Sequence, residues 1–490
     1  MSLRDNPIIM FFPRTGPNFL EPPFGLIALG TTLKAAGFDV HVIDCRVEDF
    51  SKKTKELLHG RIPLFFGVTS MTGPQIFHAI KISKWLKSNF NAPVVWGGLH
   101  VTLCGEQAIS EDFIDFILRG YADHSIVQFA ETLVNGGPLK EIPGITLKPE
   151  GMHGVFSHPS IPVVNLEELP MPDWGLVDVN NYLNSNYLME KTAYLFTSRG
   201  CVHSCTFCYS LPVNNKKWQG RTARQIIAEI EDLRARIDFD VIFFHDDNFS
   251  VDRKRMKDVI AYLKNSGIRF VLSANCTNID DSFVELLSGS GCMRLDFAIE
   301  SGSPAILKKY SKGFTIEDAW IAIEKASEKG IPVNLSFIFG HPDETKAEIY
   351  ETMEFIDRIH ARWPAINILD IKMLTPYPGT AIFEQCLKSG LKEPTSISEW
   401  GDFYWNTKNL QWNKEALLCQ DLSFISLFAF RHNHLRSKHL FLQKTYNVLH
   451  LIEKMRWHRR YFKFPVELRA MHWTLVMYNR LMKILEMSFL

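Results

Sequence analysis

Long apolar runs and net charge are both missing from this sequence of 490 residues. No uninterrupted apolar run approaches the roughly 20 residues that span a bilayer, and the N-terminus lacks a charged segment followed by an apolar one. We therefore expect neither a membrane anchor nor a secretory signal, and we predict a cytoplasmic protein. With 46% hydrophobic and 22% charged residues, the composition is that of a folded globular protein and excludes a largely disordered chain.

Cysteine is sparse, and most of it is scattered. Six of the nine cysteines stand singly and are predicted to be small buried hydrophobic residues: Cys45, Cys104, Cys276, Cys292, Cys386 and Cys419. The other three, Cys201, Cys205 and Cys208, follow the spacing C-x3-C-x2-C. Three thiolates on one loop can bind three irons of a 4Fe-4S cluster and leave the fourth iron open. The alternative is a structural zinc site, which would need His203 or a distant residue as its fourth ligand.

Residues 6–135 alternate short apolar runs with helical patterns, which predicts an α/β fold with a doubly wound, Rossmann- or flavodoxin-like parallel sheet. The predicted strands are 8–12, 40–43, 64–68, 94–96 and 116–118, with helices in the gaps such as 24–36 and 74–90. Ligands of such sheets bind beyond the carboxyl ends of the strands. Those ends carry small and polar residues, which are candidates for binding: Thr69, Ser70, Gly97, Gly98, His100, Arg119 and Gly120.

A second α/β series begins near residue 194. Its predicted strands are 194–197, 241–244, 270–273, 294–299, 333–339 and 366–373. Six β-α units predict a partial barrel, in which functional residues gather at the carboxyl ends of the strands. The first strand leads into the cysteine loop, and every later strand except the third ends in a polar or glycine-rich phrase.

The rest of the chain is predicted to form a linker and a C-terminal unit. We expect a Rossmann-like domain at 1–135, a linker rich in proline and acidic residues at 136–190, the partial barrel at 191–395 and a mostly α-helical basic unit at 396–490. Within the last unit, residues 431–490 carry twelve Lys and Arg against three Asp and Glu, a net charge of +9. This segment is either a membrane-surface element or a packed helical cap with a solvated basic face.

The cysteine loop and the later strand ends resemble the radical S-adenosylmethionine (SAM) superfamily. The loop reads CVHSCTFC, the fourth strand ends in ESG at 300–302, and the fifth reads SFIFGHP at 336–342, similar to that family's G-x-I-x-G-x-P. In that family SAM binds the open iron of the cluster. The resemblance implies that the three cysteines bind the metal and that SAM contacts these residues: Phe207, Asp246, Asp247, Asn248, Glu300, Ser336, Ile338 and Gly340.

The N-terminal half resembles the cobalamin-binding domain attached to many radical SAM enzymes. The resemblance lies in EPPFGL at 21–26, GGLHVT at 97–102 and the pair Arg119-Gly120, and it implies cobalamin contacts at the strand-end residues named above. The D-x-H-x-x-G motif that gives cobalt a histidine is absent, because the segment starting at Asp39 ends in Asp44, so we expect no histidine lower ligand. The alternative is a flavodoxin-like domain that has lost its cofactor or binds another ligand.

Together the two resemblances imply a cobalamin-dependent radical SAM methyltransferase. In such enzymes a 5'-deoxyadenosyl radical takes hydrogen from an unactivated carbon, and methylcobalamin supplies the methyl group. Ring closure or oxidation with the same cofactors, a non-catalytic cobalamin sensor and a zinc-stabilised scaffold are the alternatives. The expected partners are a small-molecule or lipid-like substrate and an external electron donor of the flavodoxin or ferredoxin type. Peripheral membrane contact would involve residues 431–490, and no nucleic acid is expected.

Overall fold

The computed structural model describes residues 3–15, 20–148, 154–159, 164–183, 190–403, 410–429, 448, 451–462 and 469. The first unit is a sheet of seven strands in the order β2-β1-β3-β4-β5-β6-β7, parallel from β1 to β5 and antiparallel at β6 and β7. Its strands are β1 Ile8–Phe12, β2 Val40–Asp44, β3 Phe65–Thr69, β4 Val94–Gly97, β5 Phe116–Leu118, β6 Ile145–Leu147 and β7 Phe156–Ser157. Its helices are α1 Phe24–Ala35, α2 Phe50–Leu58, α3 Gln75–Asn89, α4 Leu99–Ile109 and α5 Asp123–Asn135.

Helices cover both faces of this sheet, which explains its unbroken apolar strands. Ile9 and Phe11 of β1 belong to one buried cluster, together with residues of α3 such as Ile82. Ile8 and Met10 of the same strand belong to a second buried cluster, with residues of α1. A strand buried on both faces needs apolar residues at every position, and β1 meets that requirement.

The second unit is a sheet of six parallel strands in the order β15-β14-β13-β12-β11-β8. Its strands, with a two-stranded ribbon of β9 and β10, are β8 Thr192–Leu195, β9 Ser198–Gly200, β10 Trp218–Gly220, β11 Val241–Phe244, β12 Arg269–Ser273, β13 Cys292–Glu300, β14 Val333–Phe339 and β15 Asn367–Met373. Its helices are α6 Ser210–Asn214, α7 Ala223–Arg236, α8 Arg253–Ser266, α9 Asp281–Leu287, α10 Pro304–Tyr310, α11 Ile316–Glu328, α12 Lys346–Arg362 and α13 Ala381–Lys388. Among the described residues β8 and β15 do not pair, so the barrel is open, as predicted.

Local capping fixes where several barrel helices begin. Thr222, Thr315 and Thr345 each form a capping box at the start of α7, α11 and α12, respectively. Such caps satisfy backbone N–H groups that the helix leaves unpaired, and each contributes about 1 kcal/mol. The sequence therefore places these helices, and with them the ends of the preceding strands.

Several strands coincide with the prediction, and others do not. The strands predicted at 8–12 and 333–339 are observed as Ile8–Phe12 and Val333–Phe339. The strand predicted at 194–197 is Thr192–Leu195, because Thr197 turns away and donates hydrogen bonds to Asp246. The segment predicted as a linker contains β6 and β7, which extend the first sheet. Both are too short to show an alternation in the sequence.

The described part of the C-terminal unit packs on the barrel. Helix α14, Ala416–Ala429, donates a hydrogen bond from Ser423 to the carbonyl of Ile371 on β15. Residues 451–458 are helical, and Trp457 and Arg460 both bind Asp357 of α12. This part of the basic segment is therefore a packed cap. The membrane contact predicted for 431–490 falls mainly on residues outside the described ones. No helix in the described ranges has the length and apolar character needed to cross a membrane.

Candidate active site between the two sheets

A cavity of about 790 Å³ lies between the carboxyl edge of the first sheet and the mouth of the barrel. The first unit contributes the strand-end residues Thr69, Gly97, Gly98 and Gly120. The barrel contributes Phe196, Arg199, Tyr209, His245, Asp247, Lys372 and Tyr377. Because all strands of a parallel sheet end at one edge, this arrangement brings the functional ends of both units together.

Gly97, the last residue of β4, and the adjacent Gly98 line the cavity on the sheet side. Gly98 has φ +95°, and a Cβ atom there would lie 2.6 Å from the carbonyl oxygen of Ser70. The loop therefore requires glycine at this position for its own folding, and not only for a ligand. A Cβ at Gly97 would meet only the carbonyl oxygen of Leu118, at an ordinary 3.6 Å. Gly97 is thus the position where added bulk would extend into the cavity.

Three of the predicted cobalamin residues lie behind the cavity wall. Ser70 donates a hydrogen bond to the carbonyl of Gly97, and Arg119 donates one to the carbonyl of His158. His100 is fully buried with Nδ1 3.0 Å from the Thr72 hydroxyl, and burial lowers its pKa to about 4. A neutral, buried histidine in this position supports the loop. None of the three lines the cavity.

Two other histidines, His41 and His245, differ in whether they line the cavity. His41 lies within β2, with Nε2 3.0 Å from Asp39, and does not line the cavity. His245 lines the cavity from the barrel side, at the end of β11, with Nε2 3.3 Å from a carboxylate oxygen of Glu21. His245 therefore reaches across to the first unit, which sequence reasoning did not predict.

An ion pair joins the cysteine loop to the first unit. Arg199 donates two hydrogen bonds to the carboxylate of Asp123, at 2.6 and 3.1 Å, and its guanidinium lies 4.6 Å from the ring centre of Tyr121. Both charged side chains are largely buried. Tyr121 and Asp123 follow the predicted Arg119-Gly120 pair, and through Arg199 they supply a contact between the two units.

The cysteine loop is half-buried and anchored on both sides. Gly200 has φ +85°, and a Cβ there would lie 2.1 Å from the carbonyl of Lys217, so only glycine fits before Cys201. Thr206 donates a backbone hydrogen bond to the carbonyl of Tyr310, and its own carbonyl accepts one from Ile382. Burial raises the pKa of all three thiols, that of Cys208 to about 12. A bound cation would therefore have to displace their protons.

Within the described ranges, no group of three His, Cys, Asp or Glu side chains is arranged to hold a single metal ion. An iron–sulfur cube does not need such an arrangement, because each thiolate binds a different iron. The three cysteines on their common loop fit that requirement.

The three predicted SAM residues after β11 play different parts. Asp246 is buried and accepts hydrogen bonds from the backbone and hydroxyl of Thr197 and from the hydroxyl of Ser198, each at 2.6 Å. It therefore holds the strand that enters the cysteine loop. Asn248 is also buried and accepts hydrogen bonds from Ser250. Asp247 is the one that lines the cavity, and burial raises its pKa.

Glu300 ends β13 with φ +73° and faces a buried lysine. The Nζ atom of Lys312 lies 3.6 Å from Oε1 of Glu300 and 5.7 Å from the ring centre of Phe207. Burial is the largest effect and lowers the pKa of Lys312, but the negative charges of Glu300 and of Cys205, Cys276 and Cys208 together outweigh it and leave the pKa raised. Sequence reasoning missed Lys312, since an isolated lysine after a short helix carries no signal of its own.

The backbone groups at the end of β14 already have hydrogen-bond partners within the protein. The N–H of Gly340 donates to Glu344 at 2.6 Å, and its carbonyl accepts from the indole of Trp412 at 2.9 Å. Ser336 and Ile338 are half-buried and lie at alternate positions of the same strand. The backbone N–H and carbonyl of Gly340, an implied SAM contact, are therefore both paired within the protein.

The comparisons with known proteins agree with this architecture. The model of the radical SAM superfamily matches residues 195–356, and that of the B12 binding domain matches residues 17–130. An uncharacterized methyltransferase of Pyrococcus horikoshii is 30% identical over 376 residues, which cover 76% of this chain and 79% of the relative.

Two solved structures share the fold. The radical SAM methyltransferase TsrM from Kitasatospora setae, solved with cobalamin and a 4Fe-4S cluster bound, superposes with a TM-score of 0.64 at 20% identity, over 80% of this chain and 76% of that one. The cobalamin-dependent radical enzyme OxsB, solved with aqua-cobalamin and SAM, gives a TM-score of 0.72 at 16% identity, over 98% and 76%. With the relative from Pyrococcus similar over most of both chains, this protein belongs to the cobalamin-dependent radical SAM enzymes, in their methyltransferase family.

Proposed function

We propose that this protein transfers a methyl group to an unactivated carbon of a small molecule, using a 4Fe-4S cluster, SAM and cobalamin. The observation that carries the proposal is the shared cavity between the two units. Gly97 lines it on the sheet side, and Tyr209, next to the third cysteine, lines it on the barrel side. A substrate in this space would be within reach of groups held by either unit.

The residues on each side of the cavity fit these cofactors. On the barrel side, three thiols on one anchored loop can supply soft thiolate ligands, beside the buried ammonium group of Lys312. On the sheet side, the open space above Gly97 continues into an apolar recess between strands and helices. That recess is lined by Met10, Phe65, Val95, Leu118 and Ile126. A large, partly apolar ring system with a tail would fit such a surface.

When bound, the cluster with SAM supplies a radical that takes hydrogen from an unactivated carbon, and cobalamin supplies a methyl group. The protein's part is to bind, orient and exclude water. Glu300 can accept hydrogen bonds from ribose hydroxyls, and Lys312 can neutralise a carboxylate. The pair of Arg199 and Asp123 keeps the two units in a fixed relation. The aromatic rings of Tyr209 and Tyr377, 6.1 Å apart, cover the cavity beside the cysteine loop.

The cysteine variants test this function directly. Cys201→Ala, Cys205→Ala and Cys208→Ala should each abolish reductive cleavage of SAM, because each removes one of three ligands. Formation of 5'-deoxyadenosine, followed by chromatography, is the measurement. Cys292→Ala is the matched control, since Cys292 begins β13 in the same barrel and should leave cleavage unchanged. Wild-type cleavage in any of the three ligand variants would refute the proposal.

The product distinguishes methyl transfer from ring closure or oxidation with the same cofactors. Mass spectrometry of reactions with methyl-labelled SAM should show a product that gains one labelled methyl group. A product that loses hydrogen without gaining the label would assign the protein to the other chemistry.

The proposal extends to the partners. We infer a small-molecule or lipid-like substrate and an external electron donor of the flavodoxin or ferredoxin type, because the cluster must be reduced before each cleavage. The basic charge of residues 431–490 supports contact with an anionic membrane surface. The predicted unit boundaries at residues 190 and 395 and a cytoplasmic location belong to the same proposal, whereas β6 and β7 extend the first sheet beyond the boundary predicted at residue 135.

A further inference from the structure

Two buried charged residues line the cavity away from the cysteine loop. Arg221 follows β10 and is 5% exposed, and Glu229 lies on α7 and is 1% exposed. The chain places Arg221 firmly, since its backbone N–H donates to the carbonyl of Thr197 and its Nη2 donates to the carbonyl of Pro170. Neither residue has a role in the cluster or in the predicted SAM contacts.

Both side chains have polar atoms without a hydrogen-bond partner among the described residues. These atoms are Nη1 of Arg221 and Oε2 of Glu229, so the two opposite charges do not pair with each other. Burial raises the pKa of Glu229 to about 7, although Arg221 and the Trp174 indole oppose that effect. A buried donor and a buried acceptor left unpaired are costly, and such groups normally have a partner.

The neighbouring charges do not supply that partner. Arg199 and Asp123 also line the cavity, but they satisfy each other through two hydrogen bonds. The same cavity is also lined by the apolar residues Ile27, Leu166 and Pro172 and by Trp174, whose buried indole N–H likewise has no hydrogen-bond partner among the described residues. A ligand that fills this part of the cavity therefore needs one acceptor and one donor close together.

We propose that Arg221 and Glu229 bind a peripheral carboxamide of cobalamin. The guanidinium donates to the amide oxygen, and the carboxylate accepts from the amide NH₂ group. The periphery of cobalamin carries several primary carboxamides, which present this pair of groups, whereas its phosphate has only acceptors. The inference rests on the proposed function, because it assigns a contact to one of its cofactors.

The test compares hydroxocobalamin with derivatives in which one peripheral amide is hydrolysed to a carboxylic acid. Binding to the anaerobically reconstituted full-length protein is followed by absorbance titration. The wild type should bind at least one mono-acid about tenfold more weakly than hydroxocobalamin, because that acid would place a second carboxylate against Glu229. Glu229→Gln should bind hydroxocobalamin more weakly and the same mono-acid more tightly than the wild type does. A gain of binding cannot arise from misfolding.

Two further variants complete the test. Arg221→Lys should weaken both ligands roughly tenfold, since a lysine cannot reproduce the guanidinium fork. Glu344→Gln is the matched control, because Glu344 is about as deeply buried as Glu229 but does not line the cavity. This variant should bind both ligands as tightly as the wild type does.

Each contrary outcome has a distinct meaning. If Glu229→Gln and Arg221→Lys bind hydroxocobalamin as tightly as the wild type does and discriminate against the mono-acid to the same degree, the inference is overturned. A water molecule that bridges the two side chains would then account for their unpaired atoms. An effect of Arg221→Lys that disappears with cobinamide, which lacks the nucleotide phosphate, would also overturn it and assign the guanidinium to the phosphate. Failure of the wild type to bind any corrinoid would instead refute the proposed function.

Discussion

Individual residues around the cavity owe their identity to different causes. Gly98 is a glycine because the carbonyl of Ser70 lies where a Cβ would stand, whereas Gly97 faces open space. Asp246 serves the strand that enters the cysteine loop, whereas the adjacent Asp247 faces the cavity. Motif letters alone do not separate such neighbours, because a motif records which residues occur and not where their side chains point.

Gly97→Leu should weaken cobalamin binding by at least about tenfold while the protein stays folded, because the added side chain occupies cavity space and not protein. Absorbance titration with hydroxocobalamin measures the affinity, and the thermal midpoint reports folding. Gly98→Ala is the comparison variant, which should lower the thermal midpoint through the clash with Ser70. Full cobalamin affinity in Gly97→Leu would place the ring elsewhere.

Variants of Glu300 and Lys312 distinguish a role of Glu300 in SAM binding from a role in protein stability. Glu300→Gln should lower the free energy of unfolding by about 3 to 5 kcal/mol, because it leaves the buried ammonium of Lys312 without its counter-charge. It should also weaken SAM binding about tenfold, measured by calorimetry. The double variant Glu300→Gln, Lys312→Met should recover most of the stability but not the SAM affinity. If SAM affinity is unchanged in Glu300→Gln, the carboxylate is purely structural.

At the level of elements, short loops at strand ends connect parts that are distant in sequence. Arg199 on β9 binds Asp123 at the start of α5, and Trp412 donates to the carbonyl of Gly340 at the end of β14. Glu344 completes the second junction by accepting from the N–H of Gly340. Burial raises the pKa of Glu344 to about 8, so its carboxyl group keeps its proton at neutral pH in the folded protein.

This raised pKa predicts a pH-dependent stability. The unfolded chain loses the Glu344 proton near the ordinary value of 4.5, whereas the folded protein holds it up to about pH 8. Stability should therefore be highest below pH 4.5 as far as this group is concerned, and fall by an amount on the order of a few kcal/mol as pH rises to 8. Glu344→Gln cannot titrate, so its thermal midpoint should gain on the wild type between pH 5 and pH 8. If the thermal midpoints of the wild type and of Glu344→Gln change with pH in the same way, the raised pKa of Glu344 is contradicted.

For the whole molecule, the decisive feature is that the carboxyl edges of two independent parallel sheets face one cavity. Each sheet follows from local patterns, and the two family models match residues 17–130 and 195–356, respectively, one in each unit. The described C-terminal residues add a cap on α12 through Trp457. Removing the whole basic segment would therefore remove part of the barrel's packing as well as its charge.

The membrane contact of this segment is best tested by charge and not by deletion. Replacing Arg431, Arg436, Lys438 and Lys444 by Gln removes four positive charges and keeps Trp457 in place. Because each basic residue near an anionic surface contributes about 1 kcal/mol, the variant should sediment less with anionic vesicles at low salt. Neutral vesicles are the control. A wild type that does not sediment with anionic vesicles would assign the segment to the cap alone.

The sequence by itself determined the elements with strong local signals. The cysteine spacing, the unbroken apolar strand at Ile8–Phe12 and the strand at Val333–Phe339 follow from patterns within a few residues, and so do the two resemblances. The contacts between Arg199 and Asp123, between Glu300 and Lys312, and around Arg221 and Glu229 were decided only by the tertiary structure. Single charged residues far apart in the chain carry no pattern, and their meaning arises only when folding buries them together in a medium where each charge needs a partner.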